Sequence, residues 1–333
     1  MKKRFHCFFL FFLAACGLQL SAYAQPQAYP SSFKVAQDGS GNYRTIQEAI
    51  NAVRDLSQQQ VKIFIKNGVY HEKIIIPSWK TNISLIGESK DNTIISYNDY
   101  AGKLLPAKDY FLKTDTLRTF TSYTILIVGN DCSIENTTIE NNAGRVGQAV
   151  ALHTEGDRII IKNCKLIGNQ DTYYAATDGS RVFFKDCFIE GTTDFIFGEA
   201  TVVFQSCTIK NLVNSYITAA STRSWRNFGF VFFDCKLIAD TIAKKVFLGR
   251  PWRPYSKTVY INTEMESHIL REGWDNWRNA ENEKTVSYVE YKSYGPGANA
   301  EGRVKWAKQL SKIELKRYTL KNIFEGWDPE SKK

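Results

Sequence analysis

From Val61 onward the apolar residues come in short runs, VKIFI, KIIIP, NISLIG and NTIIS, divided by Gly, Asn, Asp and Ser clusters. Short runs with that punctuation predict β-strands. Ahead of them, Thr45–Leu56 (TIQEAINAVRDL) places Ile46, Ala49, Ile50 and Val53 on one helical face, with Thr45 near its start. A helix there is expected to cap the end of whatever the strands build.

The strands repeat in one register when aligned on Cys132, Cys164, Cys187, Cys207 and Cys235. Five and four residues before each cysteine stand Ile127-Val128, Ile159-Ile160, Val182-Phe183, Val202-Val203 and Phe230-Val231. Just before it comes a corner-type residue: Asp131, Asn163, Asp186, Ser206 or Asp234. Two after it comes Ile134, Leu166, Ile189, Ile209 or Leu237. The intervals are 32, 23, 20 and 28 residues. A fixed core register with a varying interval describes coils that share a cross-section and carry loops of different length. The fold class is therefore all-β, a parallel β-helix with an N-terminal capping helix. A β-sandwich also has many short strands, but leaves the five recurrences unexplained. The repeat fades after Gly295, and LSKIELKRYTLKNIFEGW is expected to pack along the solenoid or cap it.

Composition narrows this picture. The 333 residues are 43% hydrophobic, ample for a full core. The net charge of +9 favours an anionic partner: nucleic acid, a membrane surface or an acidic polysaccharide. No dense Lys/Arg run or nucleic-acid motif is present, so no nucleic-acid partner is expected. Lys2, Lys3 and Arg4, an apolar stretch from Phe5 to Leu20 and Ala22-Tyr23-Ala24 compose an export signal over residues 1–24. The protein is thus expected in the periplasm or secreted. Leu13-Ala14-Ala15-Cys16 offers a rival lipoprotein site, which would leave an outer-membrane anchor on Cys16. Residues 25–32 read as a linker and 33–333 as the catalytic domain. The five repeat cysteines suggest a ladder of small buried side chains more than a disulfide framework. No CxxC or Cys/His cluster calls for a metal.

The candidate chemistry lies at one offset of the repeat. Asp171 follows Cys164 by seven residues, and Asp194 follows Cys187 by seven, in the matching segments IIIKNCKLIGNQD and VFFKDCFIEGTTD. On adjacent coils the two carboxylates would stand about 5 Å apart, the spacing of neighbouring strands. Like charges that close push one pKa up and the other down. A nucleophile and a general acid need that separation. Gln148 in GQAVAL, Gln170 in GNQDTYY, and Arg250 with Trp252 in LGRPW converge on the same place.

GVYHEK, GQAVAL, QDTY, DFIFG and LGRPW, in that order, give the chain a resemblance to the pectin methylesterases (pectinesterases) over nearly all its mature length. The resemblance implies a right-handed parallel β-helix and a carboxylic ester hydrolase acting on methyl-esterified homogalacturonan. Asp194 would be the nucleophile, with Arg250 orienting it and keeping its pKa low. Asp171 would donate a proton to departing methanol, then serve as base for water. Gln148 and Gln170 would donate to the oxyanion, and Tyr174, Phe197 and Trp252 would contact the sugar chain. No cofactor, metal or protein partner is implied, and a monomer is expected because β-helix ends are capped. Tyr70 and Glu72 of GVYHEK read as structural. His153 lacks a Ser or Cys nucleophile to serve.

Three residues depart from the family pattern. Tyr173 stands where Leu is common, a change expected to alter the groove. Tyr123 replaces a small residue, and Arg145 stands where Pro is common. Competing readings are a glycan-cleaving solenoid, a non-catalytic carbohydrate-binding one, and an esterase or thioesterase acting on a non-pectin ester. An inverting glycosidase needs carboxylates roughly 6.5–9.5 Å apart, wider than adjacent coils give. A lyase needs a cation site or strong base, and no acidic cluster offers one.

Overall fold

The computed structural model describes residues 29–109 and 114–331. The export signal and the first half of the expected linker, residues 25–28, lie outside the described residues. Ser32, assigned to that linker, already begins a strand, Ser32–Val35.

Three parallel sheets of 11, 8 and 7 strands run the length of the molecule. Each full coil gives one strand to each sheet. Ile159–Lys162, Lys165–Ile167 and Tyr173–Ala175 make one coil. Arg181–Lys185, Phe188–Gly191 and Ile196–Gly198 make the next, in register above it. This is the parallel β-helix expected from the repeat. One antiparallel hairpin, Leu104–Asp109 with Thr114–Thr116, stands apart from the three sheets.

The corner between the first and second sheets explains the polar residue before each cysteine. Asn136, Asn163, Asp186, Ser206, Asp234, Asn262 and Lys292 all have φ between 48° and 55°. Left-handed backbone is costly for most residues, and short polar side chains tolerate it best. Behind that corner the ladder runs Thr137, Cys164, Cys187, Cys207, Cys235 and Thr263. Its cysteines are buried and free.

Cys132 does not belong to this ladder. Ser133 pairs with Ile160, which sets Cys132 level with Ile159 and not with Cys164. Its corner residue, Asp131 (φ 57°), matches Arg158 (φ 60°) at the other end of the first sheet's strands. The true step below Cys164 is Thr137, 27 residues earlier, whose hydroxyl lies 3.6 Å from the Cys164 sulfur. Threonine fills nearly the space of cysteine, so the structural register passes through a change of residue type.

Inside the solenoid, aromatic rings continue the ladder principle. Phe184, Phe204, Phe232 and Tyr260 stack in sequence with centroids 5.0, 4.5 and 4.4 Å apart. Such contacts add about 1 kcal/mol each beyond the area they bury. Tyr173 belongs to this interior: its ring is fully buried against Phe184, and its hydroxyl pairs with that of Thr154. Its departure from Leu therefore alters the core, not the groove.

Helix α1 (Ile46–Ala52) packs Ile46, Ala49 and Ile50 over the first coils. Thr45 caps it through a capping box with Glu48. The helix stops four residues short of Leu56, because Val53 is already extended and Leu56 is left-handed (φ 51°). Glu72 accepts from the Ile46 and Gln47 amides at the same helix end, a structural use of the carboxylate. At the other terminus, Lys308–Gln309 adds a last strand to the first sheet. Helices α2 (Lys312–Leu315) and α3 (Leu320–Ile323) follow. Ile323 and Phe324 then cover the outer face of that sheet over Phe183, Val203, Val231 and Val259.

Candidate active site

The third sheet carries the site on its outer face. Its central positions form one outward row: Ile75, Leu126, His153, Tyr174, Phe197, Ala219 and Arg250, each in register with the next. Ala219 is the small member of the row. It leaves a hollow between Phe197 and Arg250 and lines the cleft there. Gly198 (φ 123°) lets the Phe197 strand close on its neighbour, since a Cβ there would stand 2.0 Å from the Ala175 carbonyl oxygen.

The turns entering these strands carry the two aspartates. Tyr173 pairs with Ile196, so Asp171 and Asp194 stand on adjacent steps, as their shared offset predicts. The Asp171 amide donates to the Thr193 carbonyl and the Asp194 amide to that of Tyr216. Both backbones are left-handed, φ 69° and 51°. Both residues are 7% exposed.

Their partners differ. Arg250 donates from Nε to Asp194 Oδ1 at 2.9 Å and from Nη2 to Oδ2 at 2.7 Å. The guanidinium is itself clamped between two rings, with its carbon 3.9 Å from the Tyr216 centroid and 3.8 Å from that of Trp277. A planar fork held on both faces fixes the carboxylate's direction as well as its charge. Among the described residues Asp171 has no such cation. Burial, then the charge of Asp194, push it up to about 8 against the pull of Arg250. Burial raises Asp194 as well, although the hydrogen bonds and charge of Arg250 oppose it. Arg250 thus does not hold Asp194 below the usual carboxylate range, as the sequence had suggested. It preserves the order instead: Asp194 is the one favoured as a carboxylate, and Asp171 is the one favoured as an acid.

A cleft of about 230 Å³ opens over this pair. Gln148 and Gln170 line it side by side, bridged by their backbones. Neither side-chain amide hydrogen-bonds any described residue, so both remain available to a ligand. Phe197 and Trp252 also line the cleft. Tyr174 does not; it stacks behind Phe197 at 4.5 Å and braces that ring. All eight residues expected at the site are therefore brought together, seven on the cleft wall and Tyr174 behind it.

Sequence reading missed Phe120, Trp277 and Tyr216. Phe120 lines the cleft and stacks on Tyr174 at 5.1 Å. Trp277 forms the facing wall from a loop outside the repeat, turned by left-handed backbone at φ 58°. Tyr216 was traceable, because it occupies the step after Asp194 in the aligned coils. His153 is buried among the rings of Tyr123 and Tyr174, with Nε2 3.2 Å from Glu155.

The chain is similar to known proteins over most of its length. The pectinesterase family model matches residues 32–327. Pectinesterase 31 of Arabidopsis thaliana is 34% identical over 299 residues, covering 89% of this chain and 92% of its own length. Putative pectinesterase/pectinesterase inhibitor 28 of the same plant is 38% identical over 312 residues, but the match covers only 41% of that longer protein. Among solved structures, a pectin methylesterase from carrot superposes with a TM-score of 0.80 at 33% identity, covering 91% of this chain and 95% of that one. A pectin methylesterase from Erwinia chrysanthemi gives 0.77 at 31%, covering 91% and 99%. A pectin methylesterase in complex with a hexasaccharide gives 0.77 at 30%, covering 92% and 100%.

Proposed function

The chain belongs to the pectinesterase family, and from that premise we propose that its cleft hydrolyses galacturonate methyl esters of pectin through an acyl-enzyme on Asp194. The observation that carries this reading is the asymmetry of the aspartates: two buried carboxyls on adjacent coils, of which Asp194 alone is gripped by Arg250.

An Asp194 oxygen attacks the ester carbonyl carbon. The negative charge that develops on the carbonyl oxygen meets the free amides of Gln148 and Gln170. Oxyanion donors of this kind are worth roughly 3 kcal/mol each. The bond to the methoxy oxygen then breaks as Asp171 gives it a proton, and methanol leaves. Asp171, now a carboxylate, takes a proton from water. The resulting hydroxide adds to the acyl carbon, the bond to Asp194 breaks, and a free galacturonate is released with both aspartates restored. Phe197 and Trp252 offer apolar faces to the sugar ring and its methyl ester. The polymer is met as a monomer, after export directed by residues 1–24.

The test is methanol release from highly methylated pectin by the wild type, read beside the intact mass of the Asp171→Asn protein given an oligogalacturonide that carries a 4-nitrophenyl ester in place of the methyl ester. That leaving group departs without an acid, whereas asparagine supplies no base for the second step, so a protein heavier by one acyl group is expected. Methanol release with no gain in mass would replace the acyl-enzyme by direct attack of water. No methanol from the folded wild type would remove the substrate assignment.

A further inference from the structure

The motif GVYHEK ends in Lys73, which neither the cap of α1 nor the wall of the cleft uses. Its ammonium joins two segments distant in sequence. Nζ donates to Asp99 Oδ2 at 2.6 Å and to the Thr121 carbonyl at 2.6 Å. Both members of this ion pair are largely buried. The same ammonium lies 4.7 Å from the centre of the Tyr123 ring. The bulky residue that departs from the family pattern at 123 thus gives the cation an aromatic face.

Asp99 and Thr121 are the two ends of one excursion from the solenoid. It leaves after the second-sheet strand Thr93–Tyr97 and returns before the third-sheet strand Ile125–Ile127. Between them come the antiparallel hairpin and the short turn Thr119–Thr121, whose Phe120 lines the cleft. Bonds inside the turn are local: Ser122 Oγ donates to the Thr119 carbonyl at 2.7 Å and the Thr121 amide to that of Arg118 at 3.0 Å. Local bonds shape a turn without placing it. Asn141 helps to place it, through the carbonyls of Asp99 at 2.9 Å and Ser122 at 3.0 Å. Among the described residues only Lys73 holds the carbonyl of Thr121, the neighbour of Phe120. Gln148 is fixed from the next coil as well, since the Ala149 amide donates to the Gln170 carbonyl and the Ala151 amide to that of Thr172.

Resting on the function proposed above, we propose that Lys73 is a positioning residue: it clamps the base of this excursion and so holds the Phe120 ring at the cleft, ready for the polymer. A ring already in place binds without the ordering cost that a loose one meets. A contact made equally in ground and transition states acts on KM and leaves kcat alone.

The experiment measures kcat and KM for methanol release from methylated hexagalacturonate, on variants whose thermal melts show a folded protein. Lys73→Met should raise KM about fivefold, the size of one lost aromatic contact, and change kcat less than about threefold. Phe120→Ala should do the same. The double variant should stay near about fivefold, well short of the roughly twenty-fivefold that independent effects would give. Lys103→Met takes the second cation from Asp99 and leaves Thr121 held, so it should move KM less than about twofold. Should Lys73→Met not fold, Asp99→Asn keeps the shape and weakens the same clamp, and KM should rise about threefold. An unchanged KM in whichever of these two folds, losses from Lys73→Met and Phe120→Ala that multiply in full, or a Lys103→Met effect as large as that of Lys73→Met overturns the clamp. Failure of the underlying function reads differently: the wild type then yields no methanol.

Discussion

Two turns of the solenoid use the same backbone for different ends. At the corner between the first and second sheets, Asp186 and Asp234 sit in left-handed backbone at φ 54° and 51° with exposed side chains. At the mouth of the third sheet, Asp171 and Asp194 adopt the same conformation at 69° and 51°, yet both are buried. Aspartate suits all four positions, because its short side chain tolerates that region of backbone. What distinguishes the second pair is what covers it: Arg250 pinned between Tyr216 and Trp277, the Phe197 ring, and the walls of the cleft. A left-handed aspartate is a turn until its surroundings desolvate it.

The sharpest way to break this comparison is to remove the charge at each turn in the same manner. Asp194→Asn keeps the shape of the turn and loses the nucleophile, so kcat for methanol release should fall by about 10⁴-fold or more. Asp186→Asn makes the same change at an exposed corner and should alter kcat less than about twofold, within the small effects usual for surface changes. Thermal melts of both proteins would show that neither has unfolded. A large loss of activity in Asp186→Asn would erase the distinction between the turns.

The pH profile sharpens the same contrast. Asp171 is held up to about 8, so below that pH it carries the proton that methanol needs. Above it, the resting enzyme has lost its acid. The kcat profile should therefore decline as pH rises through about 8. The lower limb should follow ionisation of Asp194. A rate that climbs through pH 8 to 9 would mean that Asp171 works as a base from the start.

The coil architecture and the site were legible in the sequence for one physical reason. A parallel β-helix stacks equivalent residues, so an interior demand recurs at each coil, and an offset from the core register marks one place on the surface. Asp171 and Asp194 were found that way, whereas Tyr174 and the role of Gln170 came from the family resemblance. The same logic failed where chemistry changes but shape does not, as when Thr137 rather than Cys132 continued the cysteine ladder. It also failed outside the repeat. Trp277 comes from a loop that no other coil echoes, and only three-dimensional contact with Arg250 reveals its part. The end of α1 was missed because the apolar spacing runs on to Val53 while the backbone has already become extended.

The last expected effect bears on stability and isolates burial from catalysis. The folded protein raises Asp171 from 3.8 to about 8. Between those values it keeps a proton that the unfolded chain has released. The native state then binds more protons than the unfolded one, so this group makes stability fall as pH rises across that window. Below about pH 4 both states hold the proton, and above about 8 neither does, so the contribution is flat on either side. Asparagine at 171 does not titrate. The melting temperature of Asp171→Asn minus that of wild type should therefore climb from pH 4 to about 8 and level off beyond. A difference that stays flat across the window would show that burial does not hold Asp171 neutral. The contrast between the two turns would then rest on Arg250 and the rings alone.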